Sequence, residues 1–191
     1  MINSYFESAI SFASLSGVTY QEDDPCLFFI RNLERVPDNE EGSEVMREMW
    51  QTGIDLCDFR RTLSEYLKKE VRKIMYNTSG LVGEDLSLDI LSTGGGLKRL
   101  VKYPSSTIQV LGAEKSFFKH MTTGSPPPKH GVIFRHPEVS PLKSSMRGKV
   151  SRMIANKIAI TTRADYLGTK LDIELMKQQM DKRIKQIKSG Q

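Results

Sequence analysis

The stretch from Tyr103 to Asp165 constrains the fold more than any other, because Pro and Gly cut it into helix-length pieces. Pro104 leads into Ser105, Ser106 and Thr107, a helix-start signal; Gly124 and the run Pro126–Pro128 stop that helix and extend the chain; Pro137 closes the next loop. A chain punctuated in this way turns back on itself and brings successive helices onto one surface. The same stretch is rich in Lys and Arg and poor in carboxylates, the profile of a module that faces nucleic acid.

Two helices are expected within it. The first runs from Thr107 to Met121, where at about 100° per residue Gly112, Lys115 and Lys119 share one narrow stripe. Such a stripe lets a partner's backbone approach the glycine with two cations behind it, although an ordinary solvated Lys pair reads equally well from spacing. The second runs from about Ser145 to Thr162: Val150, Ile154 and Ile158, with Met153 at the margin, form its buried face, while Lys149, Arg152, Asn156 and Arg163 project opposite. Arg147 and Lys157 fall near the apolar face and have to snorkel or pair. Between the helices, Val132, Ile133 and Phe134 anchor a loop that offers Lys129, His130, Arg135 and His136 to a ligand.

Around this block the chain reads as helix. Ile2–Leu15 has Phe6, Ala9, Ile10 and Ala13 at helical spacing, and Cys26–Leu33 is a second apolar cluster between acidic Glu22–Asp24 and Pro37–Gly42. One long helix is expected over Ser43–Tyr76, capped by Ser43, with Met46, Met49, Leu56, Leu63, Leu67 and Ile74 on a seam that Gly53, Arg60 and Glu70 interrupt. That imperfect seam suits antiparallel packing on another helix. Asn77–Gly83 reads as turn, and Glu84–Lys102 as a short helix broken at Gly94–Gly96, where the phosphate-loop spacing is absent and a helix cap or close contact is expected. The last helix, Leu171–Lys188, packs through Leu171, Leu175, Ile184 and Ile187, and its terminal cations Lys182, Arg183, Lys185 and Lys188 suit the helix dipole.

Charge is divided along the chain. Residues 1–97 hold 9 Lys and Arg against 17 Asp and Glu, a balance of −8; residues 98–191 hold 19 against 6, a balance of +13. This segregation favours a polyanionic partner for the second half. With 38% hydrophobic and 27% charged residues the chain is globular, and its apolar runs fall far short of the roughly 18 residues of a membrane span. Met1–Gly17 carries Glu7 and no Lys or Arg, so a secretory signal is not expected and an intracellular protein is. Cys26 and Cys57 are then expected to be reduced and buried. No cofactor or metal is implied, and no nucleophile stands with a base or metal cluster, so catalysis is not expected. Glu114, Glu138 and Asp165 are single and separated, and Glu114 is expected to pair with a neighbouring cation.

The segments YPSSTIQVLGAEKSFFKHMTTGSPPPKHGVIF, RGKVSRMIANKIAITTRADY and LSEYLKKEVRKIMYNTSGLVGE closely resemble the Nop domain family, the scaffold proteins of archaeal and eukaryotic box C/D ribonucleoproteins and a related tri-snRNP pre-mRNA processing factor. The likeness covers about residues 60–188 and suits a short, archaeal-type member. It implies an all-α fold: a helical Nop domain preceded by a shortened coiled-coil-like helical arm, divided as an N-terminal segment 1–42, an arm 43–83 and an RNA-binding domain 84–191. It implies recognition of a kink-turn RNA together with its bound small ribosomal-protein-like partner, the chemistry being left to a separate methyltransferase. Gly112, Ala113, Glu114 and Lys115 match the family's GAEK segment; Lys129, His130, Arg135, Arg147, Lys149 and Arg152 match the loop and helix that face RNA and its protein, with Lys119 and Arg163 added from spacing. The family's first arm and methyltransferase-docking domain are not recognised here, which puts both the family's dimerisation and methyltransferase docking in doubt; helical self-association through 43–76 stays open as a partner reading for the remaining arm. Location would be cytoplasmic in an archaeon and nuclear or nucleolar in a eukaryote. A protein-protein adaptor that keeps the fold without RNA contact is the alternative.

Overall fold

The computed structural model describes residues 2–15, 24–36 and 42–189; Glu22 and Asp23, the segment Pro37–Glu41 and the side chain of Ala13 lie outside them. All regular structure among the described residues is helical, as expected. The chain divides into two compact units, residues 1–66 and 67–191.

In the first unit, α1 (Ile2–Leu15), α2 (Pro25–Leu33) and the beginning of α3 (Ser43–Ile74) enclose an aromatic cluster. Asp24 caps α2 by accepting from the Cys26 N–H at 2.9 Å, with Pro25 at the first helical position. Phe28, Phe29 and Trp50 are fully buried. Phe28 meets the Trp50 ring edge-on at 5.4 Å between centroids, an arrangement that adds attraction to the area buried. Gly53, which interrupts the expected seam, has a packing reason: a Cβ there would lie 2.5 Å from the Phe29 ring. Phe29 over Gly53 and Cys26 beside Cys57 pair positions in opposite chain order, so α2 runs antiparallel to α3.

That approach overturns the reading of the cysteines. With Cα atoms 5.9 Å apart, Cys26 and Cys57 form a disulfide, a spacing within reach of the bond. Ser43 is also not a cap: it is the first residue of α3 and buried, and the Gly42 carbonyl accepts from the Met46 N–H at 3.0 Å. Beyond Cys57 the seam residue Leu63 is 42% exposed, and Phe59 and Tyr66, one turn to either side of it on the same face, are 64% and 58% exposed.

The second unit begins within α3, which stops at Ile74 and not at Tyr76. Asn77–Gly83, read as turn, is mostly a further helix, α4 (Tyr76–Val82). The break at Met75 has its cause in Asp165. The Asn77 and Thr78 N–H groups, which a continuing helix would point at carbonyls four residues back, donate to its carboxylate at 2.7 and 3.1 Å. Then follow α5 (Glu84–Thr93), capped at Gly94, and α6 (Leu97–Leu100), led in by Gly96. The glycine run is thus a helix joint, as expected. The core is aliphatic and centred on α9 (Ser144–Leu167): Val150, Ile154, Ala155 and Ile158 are all fully buried, with Ile108, Leu100, Ile90 and Met75 packed into the same cluster. α10 (Ile173–Ser189) adds Met180, Ile184 and Ile187 to this core, whereas Leu175, expected there, is 50% exposed.

Candidate nucleic-acid interface

The single helix expected over Thr107–Met121 is two: α7 (Ser105–Val110) and α8 (Glu114–Thr123). Gly112 stands in the joint at φ +83°, a conformation that disfavours any residue with a Cβ. The helix breaks because another segment takes its hydrogen bonds: the Leu111 carbonyl accepts from Val132 N–H at 2.8 Å, and the Gln109 carbonyl accepts from Gly131 N–H at 3.0 Å. Among the described residues Glu114 has no cation partner; its Oε1 accepts from the Gly112 N–H at 2.9 Å and holds the joint closed. The expected stripe therefore loses its glycine. Ala113 precedes α8, and Lys115 and Lys119, both exposed, remain four residues apart on α8.

α8 has no buried residue. Phe117, Phe118 and Met121 are 46%, 69% and 69% exposed. With Ser106, Thr107, Val110 and Glu114, the two phenylalanines line a groove of about 430 Å³ between α7 and α8. One short helix thus presents both bare aromatic surface and two cations.

The loop that follows is knitted onto α9. Gln109, 8% exposed, donates through Nε2 to the Lys129 carbonyl at 2.7 Å and makes a longer contact to the Gly148 carbonyl at 3.4 Å. The Lys129 stem lies across Gly148. Gln109 was not singled out from sequence, although a lone amide on the apolar side of a short helix was a usable signal. The expected apolar anchor is a 3-10 turn, Val132–Arg135, of which Ile133 is fully buried while Phe134 is 37% exposed. Phe134 is instead a platform: the His130 ring stacks on it at 4.8 Å and the Arg147 guanidinium sits 5.2 Å from its centroid. Burial, and then the Arg147 charge, hold the His130 pKa below its usual value, so His130 offers a neutral ring near pH 7. His136, expected at the ligand face, is 5% exposed and accepts through Nδ1 from the Glu138 N–H at 3.1 Å.

Arg147 and Lys157 both pair, as their positions on α9 required. Arg147 donates to the Leu142 and Ser140 carbonyls at 2.7 and 3.2 Å, and Lys157 Nζ meets Gln179 Oε1 at 2.8 Å. Arg135 is engaged by Asp89 at 2.5 Å, in an exposed pair that contributes little to stability. Lys149 and Arg152 are exposed on the outer side of α9, and with Lys129, Lys115 and Lys119 they have no carboxylate partner among the described residues. Arg163 shares their stripe but not their neighbourhood. It lies eleven residues, about 16 Å, further along α9, where it donates to the Ala159 and Tyr103 carbonyls at 2.9 and 3.2 Å. The structure therefore gathers Gly112–Glu114, Lys129, His130, Arg147, Lys149 and Arg152 around one end of α9 and leaves Arg163 outside.

Asp165 is a structural acid. Besides the two backbone donors, it accepts from Asn77 Nδ2 at 2.9 Å and Thr78 Oγ1 at 2.6 Å.

The family designated Nop, described as "snoRNA binding domain, fibrillarin", matches residues 34–186. Over 133 residues the chain is 41% identical to an uncharacterized NOP5 family protein of Methanocaldococcus jannaschii, which covers 70% of this chain and 32% of that protein. Over 141 residues it is 39% identical to nucleolar protein 56 of Dictyostelium discoideum, covering 72% of this chain and 26% of the other. The chain thus spans about a third or less of the length of these curated relatives. Among solved structures, a chain in a crystal structure of a fibrillarin/Nop5p complex superposes with a TM-score of 0.60 at 25% identity, covering 97% of this chain and 74% of that one.

Proposed function

The chain belongs to the Nop family, and on that premise we propose that it is an RNA-binding assembly module of a box C/D-type ribonucleoprotein, recognising a kink-turn RNA together with its bound small ribosomal-protein-like factor. The observation that carries this reading is the end of α9, where Lys149 and Arg152 stand exposed beside a loop that Gln109 holds with Lys129 outward. Unpaired cations on a rigid helix suit phosphates, which supply affinity, while the bound protein supplies the specificity that phosphate contacts lack. α8 bridges the two tasks: Lys115 and Lys119 serve RNA, and Phe117, Phe118 and Met121 offer apolar surface to the protein. The role is that of a scaffold, without catalysis by this chain.

A mobility shift with three targets tests it: kink-turn RNA alone, the small ribosomal-protein-like binder alone, and their complex. The proposal expects a shift with the complex and weak or absent shifts with either component. The bare aromatics of α8 also suit the adaptor alternative, which predicts that the binder alone is bound and that RNA adds nothing.

Two further partners accompany this reading. The bare stripe Phe59, Leu63 and Tyr66 on α3 suits helical self-association. The likeness to a chain from a fibrillarin/Nop5p complex supports a fibrillarin-type protein as a partner, against the expectation drawn from the unrecognised docking domain. The nucleolar names of the relatives support a nucleolar setting for a eukaryotic member.

A further inference from the structure

Four cations crowd the second half of α10, and the helix dipole accounts for only one of them. A helix C-terminus attracts positive charge within its last turn. Lys188 is in that turn and is also paired, with Glu138 Oε2 at 2.8 Å. Lys182, Arg183 and Lys185 lie before the last turn, are exposed, and have no carboxylate partner among the described residues; Arg183 meets only the Gln186 amide, at 3.0 Å. Their direction follows from the buried side. Met180, Ile184 and Ile187 point into the core, so Lys182, about 200° round the helix from Met180, points away from it.

Their position relative to α9 follows from one contact. α9 and α10 are joined by residues 168–172 and pack side by side, antiparallel, with Lys157 on Gln179. One turn beyond Gln179 on the same side of α10 is Arg183, which brings it level with Met153, the residue after Arg152 and one turn from Lys149 on α9. At the other flank of α9, Lys129 lies across Gly148. The outward cations of three elements therefore form a band across the helix layer, from Lys129 over Lys149 and Arg152 to Arg183, Lys182 and Lys185.

From this band we infer that the outer face of α10, through Lys182, Arg183 and Lys185, is a second phosphate-binding surface for the RNA held at α9. The inference rests on the RNA-binding reading above. Packed helices stand about 8–10 Å apart, so one nucleic-acid backbone engages both rows without any movement of the protein. The row adds affinity and salt dependence without sequence preference, since phosphates alone carry none.

The test titrates kink-turn RNA preloaded with its small ribosomal-protein-like binder, followed by fluorescence anisotropy at several salt concentrations. Wild type is compared with Lys182→Gln/Arg183→Gln/Lys185→Gln, with Lys182→Gln alone, and with Lys149→Ala/Arg152→Ala. The triple variant should weaken binding about tenfold and flatten the salt slope by a little under three units, and the single variant by about one, since each neutralised phosphate contributes slightly less than one unit. Thermal midpoints should stay at the wild-type value for both; a triple variant that melts early leaves the decision to the single one, at the position furthest from the core. If the α10 variants bind as wild type while the α9 variant loses binding, the second surface is refuted and the RNA reading stands. If all bind as wild type, both are refuted.

Discussion

Residues 1–66 carry 5 Lys and Arg against 13 Asp and Glu, whereas residues 67–191 carry 23 against 10. The acidic unit is built on edge-to-face rings around Trp50 and a disulfide; the basic unit is built on aliphatic side chains around α9, with a half-buried hydrogen-bond node at Asp165. A unit of some 60 residues buries a smaller share of its surface than one of twice the length, and a cross-link offsets that deficit by restricting the unfolded chain. The larger unit needs none. What each leaves uncovered also differs: Phe59, Leu63 and Tyr66 on α3 in the first, and Lys129, Lys149 and Arg152 in the second. The contrast separates a unit whose bare side chains suit protein from one that adds cations suited to phosphate to the bare aromatics of α8.

The largest expected effects come from the two cores. Trp50→Ala should cost about 3–5 kcal/mol and Ile158→Ala about 2–5 kcal/mol, read by denaturant unfolding. Only Ile158→Ala should also weaken RNA binding; equal effects of both on binding would break the division of labour. Next is the cross-link. Cys57→Ser, or reduction in the wild type, should lower stability by about 2–4 kcal/mol, with thiol titration showing no free cysteine before reduction. Two reactive thiols in the untreated native protein would return Cys26 and Cys57 to the reduced state expected from sequence.

Asp165→Asn should cost about 1.5–3 kcal/mol, because an amide NH2 then faces donors that the carboxylate satisfied. Its salt slope in RNA binding should match wild type, which marks the residue as structural. The smallest effect is with pH. Burial holds the His136 pKa below its ordinary 6.5, with Glu138 and Asp181 pulling it the other way. The unfolded chain therefore takes up the proton first as pH falls through about 6.5, so stability is full above that pH and declines below it. Melting scans between about pH 7.5 and 5.5 should show the decline, and His136→Gln should flatten it.

What was legible in the sequence was periodic. The apolar positions Val150, Ile154 and Ile158 repeat every four residues, and they defined α9, its buried side and the cations opposite. What escaped was set by distant partners. The break at Met75 depends on Asp165, 88 residues from Asn77, and the break at Gly112 on a chain arriving at Val132 to claim the Leu111 carbonyl. No local pattern in Asn77–Gly83 or Thr107–Met121 records those claims. The disulfide escaped for the same reason, since it follows from Phe29 settling on Gly53. His136 looked like a ligand contact because a histidine beside Arg135 and Pro137 carries no mark of burial.

The central claim, that the end of α9 grips phosphates, is tested most directly by the salt dependence of binding to the preassembled kink-turn RNA and its small protein. Wild type and Lys149→Ala/Arg152→Ala are titrated across a salt series. Affinity should fall steeply with salt for wild type, and the variant should lose affinity with a slope flatter by about two units, one for each phosphate contact removed. A variant that binds with the wild-type slope would contradict the account.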